Sequence, residues 1–435
     1  RRPRVLQLLV CWCVLLHATP DFTGPDVYLQ GGENGMPSLD SGGLFGRAIA
    51  QLEPGIIVVG QARHPGDGVE QGAVYFLQIA DNGTIISHSM LGSSLALPLG
   101  DYAQFGSAVA TVPDIDKDGF YEVAVGAVEH QTGCGSVYLL NVTAQGVLRS
   151  DPVRITEGES NFAAGLTTGA YFGQSVAATD LDGDGRPELI VGAERQAAST
   201  IGGSVFVLSL NADGSVLSYV TFRGSEGGLH DATPYSFGLT LGVAKDSLTN
   251  DNWLAVGANA DSSAAANSNT GAIYLLRITS SLTVATYKVY GYQQLGFALR
   301  FAFLGGLSLA VLPDLNWDGF PELAANKRRS IFDPYGKGSI YIISFNPRDG
   351  TFRSPDMLLP PATTAPNDGF GSHGMTVLTE PTDTGSYRLT VGTAFANQQQ
   401  GSLWLMPFVG APAPPPSIPP SPPPSLPPCS PPTPP

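Results

Sequence analysis

Residues 172–193 read FGQSVAATDLDGDGRPELIVGA, and this stretch decides the fold of the chain. Its centre, residues 180–188, carries four acidic side chains between two runs of small and β-branched residues. Such runs favour strands, and the glycines at 183 and 185 permit a tight turn between them. The stretch therefore predicts a β-hairpin with an acidic turn.

The same layout recurs along the chain. Phe-Gly pairs open units at residues 45, 105, 172, 237 and 370, and Gly305-Gly306 opens a weaker copy. Each unit continues with an apolar run that ends in Gly in most copies, such as residues 58–60 and 190–192. A third run has the order Gly, small, apolar, aromatic at residues 72–75, 135–138, 203–206, 271–274, 338–341 and 401–404. A more polar strand separates each unit from the next, so each unit contains four strands.

A repeat of more than 40 residues with four short strands is typical of a β-propeller blade. The fold class is therefore all-β, with six four-stranded blades and seven as the alternative. The last unit lacks an outer strand after residues 401–408, whereas residues 26–30 (DVYLQ) stand alone before the first unit. An unpaired edge strand exposes backbone donors and acceptors. We therefore expect the N-terminal strand to close the last blade.

Composition restricts the partners. The 435 residues carry a net charge of −15 and a pI near 4.7, which argues against nucleic acid or direct insertion into an anionic membrane.

Residues 1–18 combine Arg1, Arg2 and Arg4 with a short apolar run, as in a secretory signal peptide. The propeller would occupy residues 26–409. Residues 410–435 are rich in Pro and Ser and predict a polyproline II stalk or tail.

Two further sequence features bear on an extracellular location. Asn82 and Asn141 each begin an N-glycosylation sequon. Cys11 and Cys13 fall within the predicted signal, and only Cys134 and Cys429 would remain in a mature chain. A disulfide framework is therefore not expected to hold the domain together.

Three units carry the acidic loop, at residues 114–122, 180–188 and 314–322. Side-chain oxygens recur at loop positions 1, 3, 5 and 9, Gly stands at position 6, and the carbonyl of position 7 can complete a shell. Ca²⁺ takes six to eight such oxygens, so the spacing predicts three Ca²⁺ sites of structural role. The candidate ligands are Asp114, Asp116, Asp118, Phe120, Glu122, Asp180, Asp182, Asp184, Arg186, Glu188, Asp314, Asn316, Asp318, Phe320 and Glu322.

The acidic loops allow two other interpretations, a helix-loop-helix calcium site and a metal-free turn. A helix-loop-helix calcium site needs a Glu at position 12, where this chain has Val125, Val191 and Ala325, and it needs flanking helices. The β-branched flanks favour a hairpin instead. The loops could also be solvated acidic turns without metal. However, three loops share one spacing, and clustered carboxylates repel one another unless a cation is bound.

The combined pattern resembles the FG-GAP repeat of the integrin α-subunit N-terminal β-propeller. The resemblance covers residues 26–409, and the unit at residues 172–206 matches it best. The integrin propeller has seven blades, whereas six units are counted here. The proline-rich tail resembles algal and plant hydroxyproline-rich matrix glycoproteins.

The resemblance implies calcium loops on one face of the disc and ligand binding on the opposite face. The opposite face would be formed by the loops that follow each second strand. The side chains that it would present are Tyr102, Tyr171, Tyr235, His64, His130, Arg195 and Arg328. The alternative for each is an ordinary solvated loop residue or an aromatic at the edge of the core.

The sequence thus predicts a secreted, calcium-stabilised and non-catalytic propeller that binds a protein or glycan at the cell surface or in the extracellular matrix. One alternative is the propeller of a secreted enzyme similar to glycosylphosphatidylinositol-specific phospholipase D. Another is a lectin, in which Trp253, Trp317 and Trp404 would be the sugar platforms if they were exposed.

Overall fold

The computed structural model describes residues 26–93, 97, 99–128, 133–196, 202–224, 226–229, 236–247, 249–258, 271–291, 304–327, 338–346, 351–358, 361, 364, 369–379, 386–393 and 395–409. The predicted signal peptide, the proline-rich tail and the partner-binding candidates His130, Tyr235 and Arg328 lie outside these residues.

The described strands form six four-stranded antiparallel sheets, which are the blades of a β-propeller. Blade 1 contains β2 (Phe45–Glu53), β3 (Ile56–Gln61), β4 (Ala73–Ile79) and β5 (Ile85–Gly92). Blade 2 contains β6 (Phe105–Val112), β7 (Glu122–Ala127), β8 (Ser136–Asn141) and β9 (Val153–Ile155). Blade 3 contains β10 (Phe172–Thr179), β11 (Glu188–Ala193), β12 (Ser204–Leu210) and β13 (Val216–Phe222).

Blade 4 contains β14 (Phe237–Lys245), β15 (Asn252–Ala258), β16 (Ala272–Ile278) and β17 (Val284–Gly291). Blade 5 contains β18 (Leu304–Val311), β19 (Leu323–Lys327), β20 (Ser339–Phe345) and β21 (Phe352–Leu358). Blade 6 contains β22 (Met375–Thr379), β23 (Ser386–Gly392) and β24 (Ser402–Val409). A four-residue helix, α1 (Ala396–Gln399), precedes β24.

The N-terminal strand β1 (Val27–Gln30) closes blade 6. It pairs antiparallel with β24, with Tyr28 opposite Trp404, and so supplies the outer strand that the last unit lacks. At the inner end, the Phe45 N–H donates to the Gln400 carbonyl at 3.0 Å, which joins blade 1 to blade 6. The predicted closure and the count of six blades are both confirmed.

The Phe-Gly pair and the glycine of the second strand are explained by the seams between blades. Gly106 has φ +92°. A Cβ placed on Gly60 of the previous blade would lie only 2.0 Å from the Gly106 carbonyl oxygen. A side chain at either position would separate the blades. Gly126 and Gly173 form the same contact between blades 2 and 3.

The core lies between the blades. In the part of the chain that the structure describes, buried apolar side chains form six clusters, and each cluster joins two neighbouring blades. Within a blade, the buried phenylalanine of the Phe-Gly pair packs edge-on against the aromatic of the third strand. Phe105 and Tyr138, for example, have ring centroids 5.5 Å apart. The Phe-Gly pair and the third strand of such a unit are therefore in direct contact.

The strand register defines two faces of the disc. In blade 2, Val112 pairs with Glu122 at the end where the acidic loop lies, and Phe105 pairs with Ala127 at the other end. We call the first end the acidic-loop face and the second the Phe-Gly face. The six first strands line an axial channel with a volume of about 370 Å³.

Candidate functional site: acidic loops and the opposite face

Each acidic loop joins the first and second strands of its blade. The loops lie between β6 and β7, β10 and β11, and β18 and β19. All three are therefore hairpin turns, and the helix-loop-helix interpretation is wrong because both flanks are strands. Loop position 6 has φ of +89° at Gly119, +86° at Gly185 and +92° at Gly319, which explains why glycine is needed there.

The blade 3 loop folds around its own carboxylates. Asp180 accepts the backbone N–H groups of Gly183 at 2.7 Å and Gly185 at 3.0 Å. Asp182 Oδ1 accepts the N–H of Asp184 at 3.0 Å, and Asp184 Oδ1 accepts the N–H at loop position 7 at 2.8 Å. These bonds set the turn while leaving the second oxygens of Asp182 and Asp184 without a donor among the described residues.

The glutamate at loop position 9 begins the second strand in blades 2 and 3, stands one residue before it in blade 5, and is buried in every copy. Glu122, Glu188 and Glu322 are 2–3% exposed. One carboxylate oxygen of each accepts the backbone N–H of loop position 2, at 3.1, 2.8 and 2.7 Å respectively. The glutamate therefore ties the start of the loop to its end.

These glutamates are poorly suited to carry a charge without a counter-ion. Burial, reinforced by the neighbouring aspartates, raises the pKa of Glu122 to about 7, of Glu188 to about 7 and of Glu322 to about 8. A bound divalent cation would supply the missing positive charge and favour the ionised form.

The donor sets of two loops fit a hard cation. Oxygens of Asp114, Asp116 and Glu122 lie within 4.8 Å of one another, and so do oxygens of Asp180, Asp182 and Glu188. Carboxylates grouped this closely can coordinate one Ca²⁺. Such an ion would link the two inner strands of the blade and would thereby stabilise the fold.

In blade 2, the loop also contacts basic and amide side chains that sequence reasoning missed. Arg149 forms an ion pair with Asp118 Oδ2, and its guanidinium carbon lies 3.7 Å from the centroid of the Phe120 ring. Asn141 Nδ2 donates to the same Asp118 oxygen at 3.0 Å and to Asp116 at 3.3 Å. The Asn141 amide, together with the Phe120 N–H and Arg149, lowers the pKa of Asp118.

Blade 5 shows a related arrangement with one carboxylate fewer. Arg353 of β21 forms an ion pair with Asp318. Asn316 replaces the second aspartate, and its Nδ2 donates to Glu322 Oε1 at 2.6 Å. No described basic side chain forms an ion pair with the carboxylates of the blade 3 loop, which has four acidic residues, as the blade 2 loop does.

Blade 4 has no acidic loop of its own, but it supports the two loops beside it. Asn252 stands at the first position of its second strand, where the acidic blades have glutamate, and its Nδ2 donates to the Leu181 carbonyl of the blade 3 loop at 2.8 Å. On the other side, Ser247 donates from its backbone N–H at 2.9 Å to the Gly319 carbonyl of the blade 5 loop. The three blades therefore form a continuous acidic-loop rim.

The Phe-Gly face carries the other predicted residues. Arg195 stacks on Tyr171, with its guanidinium carbon 4.5 Å from the ring centroid, and Tyr102 is 50% exposed. His64 is largely buried and its Nδ1 lies 2.6 Å from Asp40 Oδ2. The structure thus brings Tyr171 and Arg195 together and leaves Tyr102 separately exposed.

The two predicted glycosylation asparagines have different surroundings. Asn82 is exposed on a turn, and its Oδ1 accepts from Thr84, which leaves its amide nitrogen toward solvent. Asn141 is partly buried and its nitrogen contacts the acidic loop.

The tryptophan platforms proposed for a lectin are mostly wrong. Trp253 is 3% exposed and Trp404 is 5% exposed, because both point into clusters between blades. Trp317 is 53% exposed, but it is position 4 of the blade 5 acidic loop. A sugar platform built from these three side chains is therefore excluded.

Comparison with known proteins supports the repeat assignment. Residues 105–140 and 172–208, in blades 2 and 3, match one family model. That model is the FG-GAP repeat. The FG-GAP segments thus include two of the three blades that carry acidic loops.

The chain is also similar to integrin α subunits. It is 45% identical to integrin alpha-V of Gallus gallus over 94 residues, which is 21% of this chain and 9% of that protein. It is 30% identical to human integrin alpha-11 over 159 residues, covering 35% of this chain and 13% of that protein, and 33% identical to integrin alpha-5 of Xenopus laevis over 132 residues, covering 30% and 12%. The matched region therefore spans only about a tenth of these relatives.

Among the helices that the structure describes, none has the length and apolarity needed to cross a bilayer.

Proposed function

We propose that this chain is a secreted, non-catalytic binding propeller of the cell surface or extracellular matrix. Its acidic loops hold Ca²⁺, and its Phe-Gly face binds a protein or glycan partner. The observation that carries the proposal is the grouping of Asp180, Asp182 and Glu188 oxygens within 4.8 Å in a repeat similar to those of integrin α subunits. Three Ca²⁺ sites, one in each acidic blade, follow from the shared spacing.

A non-catalytic role is supported by the positions of the unusual acidic groups. The glutamates with raised pKa values, Glu122, Glu188 and Glu322, lie inside the loops, where metal binding accounts for them. The enzyme alternative would need a further cluster of reactive groups elsewhere. Extracellular location is supported by the leader-like residues 1–18 and the exposed sequon at Asn82.

The calcium part of the proposal is tested by thermal melting of the purified chain in excess Ca²⁺ and in excess chelator. We expect a higher melting temperature in Ca²⁺, and a smaller difference when Asp182 and Asp184 are both replaced by Asn, because the blade 3 site alone is then lost. An unchanged melting temperature in chelator would contradict it.

The binding part is tested with arrays of extracellular-matrix proteins and glycans probed by the calcium-loaded chain. Capture that survives substitutions on the acidic-loop face but is lost with Tyr171→Ala would support a partner on the Phe-Gly face. Hydrolytic turnover of a lipid-anchored substrate by the chain would instead favour the enzyme alternative.

A further inference from the structure

The mouth of the axial channel on the Phe-Gly face has an unusual chemical composition. Five described residues occupy equivalent positions near the start of the first strands, two residues before the partners of Val59, Val125, Val191, Val256 and Val391. These five are Arg47, Ser107, Gln174, Leu239 and His373. All of them line the channel.

Among the described residues that line the channel, Arg47 alone carries a permanent charge. The remaining described wall consists mainly of Ala, Val, Leu and small polar side chains contributed by all six blades. No described residue accepts a hydrogen bond from the Arg47 guanidinium or pairs with it as a salt bridge. Because guanidinium remains charged at any pH at which the protein is folded, the channel mouth presents a cation that no described carboxylate contacts directly.

The surroundings of Arg47 reinforce this charge. Glu194 is the nearest acidic influence on Arg47, but it is 9% exposed and also faces Arg195, whose Nε lies 3.8 Å away. Arg63 carries the same charge as Arg47 and therefore has the opposite effect to Glu194, since it lowers the pKa of Arg47. Arg63 is itself paired with Glu70 at 3.5 Å. Glu194 therefore acts on two guanidinium groups, those of Arg47 and Arg195, and neither arginine has this carboxylate to itself.

We propose that the mouth of the axial channel binds a single carboxylate, the side chain of an Asp or Glu that a partner protein inserts against the Arg47 guanidinium. A carboxylate matches the planar fork of arginine with two parallel hydrogen bonds, and the Gln174 amide lines the same channel and can donate a further bond. The proposal rests on the proposed binding function of the Phe-Gly face and specifies its partner chemistry.

The same observations disfavour a polyanion such as a sulfated glycan. Polyanions are held by extended arrays of basic groups, and a chain with a net charge of −15 repels them at longer range. A channel with a volume of about 370 Å³ instead admits one narrow side chain. Specificity would come from the fit of one carboxylate.

The test uses the calcium-loaded full chain and two capped pentapeptides, Gly-Gly-Glu-Gly-Gly and its Gln counterpart, titrated by calorimetry. We expect the Glu peptide to bind at least about tenfold more tightly than the Gln peptide, as a charge-assisted bidentate contact should. Arg47→Gln should abolish this difference. Arg277→Gln, which removes an exposed arginine on the outside of blade 4, should preserve it.

Competition experiments separate the anion classes. Displacement of the Glu peptide by sodium acetate supports the proposal, whereas binding of sulfate with no measurable binding of the Glu peptide would overturn it. Equal binding of the two peptides, or an unchanged preference in a folded Arg47→Gln variant, would also overturn it. If Arg47→Gln fails to fold, Arg47→Lys keeps the charge without the fork and should retain a reduced preference for Glu.

The outcome for the channel can be separated from the outcome for the proposed function. A partner captured equally by the wild type and by Arg47→Gln would refute the channel as its docking point and leave the binding function intact. Absence of any captured partner would count against the binding function, while the peptide titration would still decide the chemistry of the channel.

Discussion

The Asn141 side chain donates a 3.0 Å hydrogen bond from Nδ2 to Asp118 Oδ2, which links the third strand of blade 2 to its acidic loop. Asn141 lies opposite Glu122 in the β7–β8 register. The corresponding position in blade 3 is Ser209, opposite Glu188. The third strand therefore places a polar side chain beside the position-9 glutamate in both blades, and in blade 2 that side chain is part of the loop's hydrogen-bond network.

This contact predicts that the two sequons are glycosylated unequally. A glycan on Asn141 would use the nitrogen that binds Asp118 and would have to fit beside a buried glutamate, whereas Asn82 offers an exposed nitrogen. We expect secreted protein from a eukaryotic host to carry a glycan at Asn82 only. Peptide mapping after enzymatic deglycosylation measures this directly. Asn82→Gln should remove the whole mass shift, and a full shift persisting in that variant would contradict the prediction.

The arginines of blades 2 and 5 predict unequal cation affinities. Arg149 and Arg353 pair with the position-5 aspartates that a cation would need, whereas the position-5 aspartate of blade 3, Asp184, has no described basic partner. We expect the blade 3 loop to bind Ca²⁺ most tightly and the blade 5 loop, with one carboxylate fewer, most weakly. Calorimetric titration should resolve the classes of site, and Asp182→Asn should remove the tightest.

Removal of a competing arginine should then strengthen Ca²⁺ binding by the loop that it contacts. Arg149→Gln deletes the positive charge beside Asp118, so we expect the affinity of the blade 2 loop for Ca²⁺ to rise several-fold at low ionic strength. Arg223→Gln, whose arginine pairs with Glu226 at the Phe-Gly end of blade 3, is the matched control. Weaker Ca²⁺ binding by Arg149→Gln would show that Arg149 organises the loop for the cation.

Much of this architecture could be predicted from the sequence, because the motifs report short-range backbone requirements. Gly60 and Gly106 are glycines since two blades approach there within the length of a Cβ bond, and every unit repeats that demand. Arg149 and Asn141 could not be assigned to the loop, because Asn141 reaches it from the end of β8 and Arg149 from the connection between β8 and β9. The sequence does not show how this connection folds back onto the acidic loop. The lectin platform failed because Trp253 lies in β15, where every residue is buried, so that neither face of the strand is open to a sugar.

The buried loop glutamates predict that the metal-free protein loses stability as the pH rises. The pKa of Glu188 is raised to about 7 in the folded state, above its value of 4.5 in an unfolded chain, so the folded state binds the proton more tightly. Its stabilising contribution is complete below pH 4.5 and is lost as the pH passes 7. We expect the melting temperature in chelator to fall across this range and Ca²⁺ affinity to rise across it.

The pH prediction has a direct control in Glu188→Gln. The amide is neutral throughout and can still accept the Leu181 N–H, so its melting temperature in chelator should fall less steeply between pH 5 and pH 8. Glu122 and Glu322 titrate in the same direction, and some slope should remain. A slope equal to that of the wild type would assign the pH dependence to other groups.

The seams between blades predict a sharp contrast between two glycine substitutions. A Cβ on Gly192 would stand 1.9 Å from the Gly238 carbonyl of the next blade, a backbone atom that can move only if the blades separate. We expect Gly192→Ala to destabilise the propeller by about 2 kcal/mol or more, as overpacking against backbone does. Gly100→Ala has open space around its Cβ and no positive φ, so its stability should change by less than about 0.5 kcal/mol. Chemical denaturation of the two calcium-loaded variants measures the difference, and equal midpoints would refute the view that the second-strand glycine is fixed by blade packing.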